Sequence, residues 1–253
     1  MSSSGESCSN LSSSCERPHL YGNLHISPSD SLNIHLNTSG GDEEQCDLTP
    51  SASIFPDSST VMFPVPKCLF SNICSLNKTI KKVRAFTTLA ADMRSLDIDV
   101  AVISETHLNN MILDSVVAID GYTIHRRDRD WGGKDKRKKG GIAVYVREQL
   151  KVLDVKQDSA FEMISLRLLL PTSHQMLLVG VYHPPKVSYQ EIELVDAISA
   201  LADDFLDSVP EGVVLCGGDV NRLDLNSVVS ASGLSALVDF PTRGQATLDN
   251  CLT

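Results

Sequence analysis

The 253-residue chain is short of the features that would put it in a membrane, outside a cell or around a structural zinc ion. No apolar run approaches the roughly 18 residues that a membrane helix needs. The opening Met-Ser-Ser-Ser-Gly-Glu-Ser has neither the basic nor the apolar region of a signal peptide. Its seven cysteines are scattered, odd in number and without a Cys-x-x-Cys pair, which argues against a zinc site and against a secreted disulfide framework. There is no internal repeat. These absences together predict a reducing intracellular setting, nucleus or cytoplasm, with no membrane partner.

Basic residues are also scarce, but unevenly so. The formal charge is −10, and residues 1–66 hold eight acids against the single base Arg17. That segment therefore carries −7, which leaves −3 for the other 187 residues. A nearly neutral domain does not exclude an anionic substrate. Sixteen of the first 66 residues are serine, and no stretch shows sustained helical or strand periodicity. The composition predicts a disordered N-terminal tail over 1–66, ending at Pro64-Val65-Pro66, and a folded domain over 67–253.

Beyond that boundary, strand and helix patterns alternate. Cys68-Leu69-Phe70 opens a strand that ends at Ser71-Asn72. Residues 77–94 place Ile80, Val83, Phe86, Leu89, Ala90 and Met93 at helical spacing. Ile98 to Ile103 reads as a buried strand ending at Ser104-Glu105-Thr106-His107. Strand-like runs follow at Tyr122–Ile124, Ile142–Val146, Met163–Leu170 and Leu177–Tyr182. An amphipathic helix spans 190–206, the run Val213 to Cys216 is a strand, a short helix lies near 226–232, and a last strand lies near Leu248–Leu252. Interleaved helices and adjacent strands predict a layered α/β sandwich with mixed sheets.

The most informative segment is Gly217-Gly218-Asp219-Val220-Asn221, directly after an apolar strand. Side chains at i and i+2 of an extended chain project to one side, so a carboxylate and an amide reach the same point. That pair serves either as an Asx-type turn or as a means of activating and orienting water. Asn72, Glu105, Tyr182 and Asp249 also lie at or just past strand ends, the places where layered α/β proteins build their sites.

In this order the segments resemble the endonuclease/exonuclease/phosphatase superfamily, and more closely the apurinic-endonuclease-like domain of non-LTR retrotransposons. The matching stretches are Phe70 to Lys78, Ile103 to Leu108, Gly121-Tyr122 with Arg126-Arg127-Asp128-Arg129, Gly140 to Val146, Val181 to Pro185, Gly218 to Asn221, Pro241-Thr242-Arg243 and Leu248-Asp249. The resemblance covers 67–253. It implies a four-layer α/β sandwich with two mixed β-sheets facing each other, and a Mg²⁺- or Mn²⁺-dependent phosphodiesterase that nicks DNA. By that resemblance Glu105 is the main metal ligand and Asn72 completes its shell or holds the phosphate. Tyr182 donates its phenol to a phosphoryl oxygen, Asp219 activates or positions the attacking water, and Asn221 orients that water and the transition-state oxygens. Asp249 orients a histidine of a later Ser-Asp-His segment. The chain ends at Thr253, so that histidine and the last strands are expected to be missing, and activity is expected to be impaired. Cys74 stands where many relatives have arginine. A monomer is expected, with a reverse-transcriptase domain downstream in any longer product. A non-catalytic nucleic-acid-binding remnant and a phosphoesterase acting on small phosphoesters are the competing readings.

Nine of the 22 basic residues fall between His125 and Arg147, interleaved with Trp131 and glycine pairs. Arg126, Arg127, Arg129, Lys134, Lys136, Arg137, Lys138 and Lys139 are the candidates for contacting a DNA backbone, and a solvated surface hairpin is the alternative. His107 and His183 read as loop residues and Cys216 as a packed small hydrophobe.

Overall fold

A computed structural model of the chain describes residues 24–27, 33–36, 66–80, 82–129, 139–242 and 245–253. Two sheets face each other. In the first, β1 (Leu24–Ser27) and β2 (Asn33–Leu36) form an antiparallel pair on the outer side of β3 (Cys68–Asn72). A two-stranded ribbon, β4 (Thr79–Ile80) and β5 (Val83–Arg84), leads into α1 (Ala85–Ser95). Then β6 (Val100–Ser104) pairs in parallel with β3, and β7 (Tyr122–Arg127) and β8 (Ile142–Arg147) complete the sheet in the order β2-β1-β3-β6-β8-β7.

The second sheet is built from β9 (Lys151–Gln157), β10 (Glu162–Leu169), β11 (Gln175–Tyr182), β12 (Val213–Asp219) and β13 (Asp249–Leu252), ordered β13-β12-β11-β10-β9. Its parallel pair is β11 with β12, bridged by the crossover helix α2 (Glu191–Ser208). A short α3 (Leu225–Ser232) follows β12 and ends at Gly233, whose φ of 69° is the left-handed cap that glycine accommodates.

Alternation along the strands sorts the core into layers. Phe70, Val100, Val102, Ile142 and Val144 of the first sheet meet Ile164, Leu166, Leu168, Met176, Leu178 and Leu215 of the second in one cluster. The odd-numbered neighbours Leu69, Ala101, Ile103, Ala143 and Tyr145 face outward onto α1 through Leu89, Ala90 and Met93. On the other side Leu177, Val179, Val181, Val214 and Cys216 pack against Leu194, Val195, Ile198 and Phe205 of α2. The result is helix, sheet, sheet, helix: the four-layer α/β sandwich with two mixed sheets.

Two local expectations change. The helix read over 77–94 begins at Ala85. The preceding Thr79, Ile80 and Val83 are β-branched and form the ribbon instead, turned at Lys82 with φ 70°. Strand β9 was not legible because Lys-Val-Leu-Asp-Val-Lys-Gln lies mostly exposed on a sheet edge. Strands β1 and β2 fall within the segment expected to be a disordered tail. Apart from Pro66, the rest of that segment lies outside the described residues.

Candidate active site

The inward register of four strands, continued to their last residues, produces the site. On β3 the inward residues Cys68 and Phe70 are followed by Asn72, and on β6 Val100 and Val102 are followed by Ser104. On β11 Met176 and Leu178 lead to Gly180 and Tyr182; on β12 Leu215 leads to Gly217 and Asp219. In register, Asn72 lies opposite Ser104 and Tyr182 opposite Asp219, while Asp219 also lies opposite Asp249 of β13. Polar side chains therefore replace apolar ones where both sheets reach a common rim. The Asp219 backbone N–H donates to Ser104 Oγ at 3.4 Å, tying the two sheets together there.

Close approach of the sheets explains the glycine pair before Asp219. A Cβ on Gly217 would lie 2.6 Å from the Phe70 ring. One on Gly218, whose φ is +146°, would lie 2.0 Å from the Val181 carbonyl oxygen. Larger residues at either position would push the Asp219 carboxylate out of place.

Asn72 and Glu105 are the hubs of the polar network. Asn72 Nδ2 donates to Glu105 Oε1 at 2.9 Å and also to Asp219 Oδ2, while its Oδ1 accepts from the Cys74 backbone N–H at 3.1 Å. The Tyr182 hydroxyl donates to the same Glu105 oxygen at 3.2 Å. His107 Nε2 approaches the other oxygen, Oε2, at 3.4 Å. Burial pushes the Glu105 carboxyl up, but His107, Asn72 and Tyr182 together outweigh it and pull the pKa down to about 2. Burial first, then the charges of Glu105 and Asp219, push the Tyr182 phenol above its usual range, so it stays a proton donor.

Five of the eight described non-glycine residues with positive φ sit at this rim: Cys74 (48°), Ser75 (94°), Glu105 (52°), His107 (53°) and Asn221 (46°). Left-handed backbone is costly for such residues and gathers where the chain must aim side chains at one point. The turns are held by Ser75 N–H to Glu105 O (2.7 Å) and His107 N–H to Gly140 O (2.8 Å).

The remaining candidates divide. Asn221 donates its backbone N–H to Asp219 Oδ1 at 3.2 Å, while its amide Nδ2 donates to the His183 carbonyl at 2.8 Å. It braces the Asp219 turn against the loop after β11. Asp249 is 8% exposed, and its N–H donates to Thr242 Oγ1 at 3.0 Å. His183 is 2% exposed and faces Tyr189 and Glu191 on the far side, a packed loop residue.

The arginines read as DNA contacts are engaged within the chain. Arg126 donates to the Asn109 carbonyl at 3.0 Å and pairs with Asp114 and Asp128, at 2.9 and 3.2 Å. Arg127 donates to the carbonyls of Asp128, Asp158 and Ser159. Arg129 pairs with Glu162 and lies 5.9 Å over the Tyr182 ring. Lys139 is exposed; Lys134, Lys136, Arg137 and Lys138 lie outside the described residues.

Two contributors went unread in the sequence. Glu162, opposite Tyr182 on β10, also accepts the Gly141 N–H at 2.7 Å, so it clasps both stems of the basic loop. Its only signal is an acid opening an otherwise apolar strand. His107 was read as a loop residue, and its approach to Glu105 depends on the left-handed turn between them.

The donor chemistry fits a hard divalent cation. Two carboxylates, Glu105 and Asp219, converge on the Asn72 NH2 group, and carboxylate oxygens are ligands that Mg²⁺ and Mn²⁺ favour.

The fold resembles several solved structures. The human nocturnin catalytic domain with bound sulfate is 12% identical over 73% of this chain and 80% of that one, with a TM-score of 0.49. The AP endonuclease LMAP from Leishmania major is 15% identical over 72% and 76%, with a TM-score of 0.47. The humanized D. rerio TDP2 is 12% identical over 66% and 72%, with a TM-score of 0.46. No curated protein sequence matches the chain. The model of the Endonuclease/Exonuclease/phosphatase family matches residues 69–249, most of the chain's length, and with the paired sheets and their polar rim on view the chain belongs to that family.

Proposed function

We propose that this protein is a divalent-metal-dependent phosphodiesterase that nicks DNA, of the kind carried by non-LTR retrotransposons. The observation that carries the reading is the meeting of Asn72, Glu105, Tyr182 and Asp219 from two facing sheets in one hydrogen-bonded cluster. The ordered series of motifs from Phe70 to Asp249 supports the retrotransposon kinship. The four described cysteines, Cys68, Cys74, Cys216 and Cys251, are free thiols, the state that the reducing nucleus or cytoplasm maintains.

Glu105, with Asn72, would hold Mg²⁺ or Mn²⁺, which when bound supplies positive charge against the oxygens of the attacked phosphate. The chain's own groups do the rest. Asp219 accepts a hydrogen bond from the attacking water and orients it toward phosphorus. Tyr182, kept protonated by its surroundings, donates to a non-bridging oxygen as negative charge grows there. Asn221 holds the turn that aims Asp219, and Asp249 lies beside it across the β12–β13 pair.

The test is nicking of supercoiled plasmid with Mg²⁺. Asp219→Ala and Glu105→Ala should each lower the rate by at least about a hundredfold while circular dichroism stays unchanged. Nicking that survives both substitutions would overturn the reading.

A further inference from the structure

Beside the oxygen-rich face of Glu105 lies a group of different chemistry. Cys74 Sγ, a Glu105 carboxylate oxygen and a His107 ring nitrogen all lie within 4.8 Å of one another. We propose that these three residues form a site for a borderline-soft divalent cation, Zn²⁺ foremost, which draws Glu105 away from the hard-metal site.

Three observations support the site. A tetrahedral zinc ion with bonds of about 2.0–2.3 Å sets its ligand atoms roughly 3.3–3.8 Å apart. His107 Nε2 and Glu105 Oε2 are 3.4 Å apart, inside that window. His107 Nε2 is also closed off from solvent and has no aligned hydrogen bond, and coordination would satisfy this buried polar atom. Finally, Cys74 is only partly buried and reachable, whereas Cys68, Cys216 and Cys251 are sealed in the core at 1, 2 and 0% exposure.

Thiolate and imidazole together favour Zn²⁺ over Mg²⁺, and three protein ligands leave a fourth position for water. On binding, the Cys74 thiol gives its proton to solvent and donates the sulfur lone pair to the ion. Glu105 cannot serve both metals in one geometry, so Zn²⁺ becomes an inhibitor of the Mg²⁺-dependent reaction. That last consequence rests on the hydrolase reading; binding itself does not.

Cobalt(II) is the probe, titrated into the full chain. Thiolate-to-cobalt charge-transfer absorption and tetrahedral visible bands should appear, and Zn²⁺ should displace them. Cys74→Ser should abolish the charge-transfer band. His107→Ala should weaken binding by at least about tenfold, a loss that even an outer-shell change brings to a metal site. No charge-transfer band in the wild type, or a band that persists in Cys74→Ser, would overturn the site whatever the activity proves to be. If His107→Ala does not fold, the Cys74→Ser arm decides. In nicking assays, Zn²⁺ inhibition should be relieved by Cys74→Ser; undiminished inhibition alongside a lost cobalt band would overturn the link between the two metals.

Discussion

At Glu105, burial and hydrogen bonding act in opposite directions on one carboxyl. Burial raises its pKa, and the close approach of His107 with the hydrogen bonds from Asn72 and Tyr182 prevails, leaving it near 2 against an ordinary 4.5. A folded pKa below the unfolded one means that the charged form stabilises the fold. That contribution is complete above about pH 4.5 and is lost as pH falls toward 2. In metal-free buffer, urea midpoints of the wild type should therefore drop more steeply across this window than those of Glu105→Gln. Parallel curves would show that these three neighbours do not hold the carboxylate in solution. Asn72, Tyr182 and Asp219 were legible in the sequence because period-two alternation reports which way a strand end points, and each ends an apolar strand. Glu105 was legible from its place just past a strand end and from the resemblance. His107 and Glu162 were not, since one depends on a left-handed turn and the other on a partner 33 residues away in sequence.

Among elements, the buried strands announced themselves and the edges did not. Ile142–Arg147 and Gln175–Tyr182 are flanked on both sides, and their continuous Val, Ile and Leu content shows it. Lys151–Gln157 mixes charges with apolar residues because one of its edges and one of its faces meet water. The hairpin β1–β2 was hidden for a further reason: four-residue strands carry too few alternations to stand out from a serine-rich background. It covers the outer edge of β3, pairing Leu24 with Phe70 and Ile26 with Cys68. Deleting residues 1–66 should therefore expose that edge, speed amide exchange across residues 68–70 and promote association at high protein concentration. Unchanged exchange in the truncated chain would mean that the hairpin contributes nothing to the sheet.

For the whole molecule, charge is distributed against the interest of DNA binding. The first 66 residues carry −7 of the −10, and three of the arginines near the site are held by acids or carbonyls of the chain itself. Under the proposed function, attraction to a phosphate backbone falls to Lys134, Lys136, Arg137, Lys138 and Lys139, which lie in sequence between Arg129 and Gly141, the two residues that Glu162 joins. Replacing these five with glutamine should weaken DNA binding and flatten its salt dependence, with the slope of log K against log salt falling by up to about 0.9 for each lost contact on duplex DNA. An unchanged slope would assign the loop to plain solvation.

The bond from Asn72 to Asp219 spans 147 residues of sequence. At about 5–20 residues per second on a ribosome, the first sheet's share of the cluster waits roughly 7–30 s for the second's. A nascent chain cannot cleave anything during that interval, however well its first strands have folded. Under the proposed function, the onset of activity is thereby timed by translation itself.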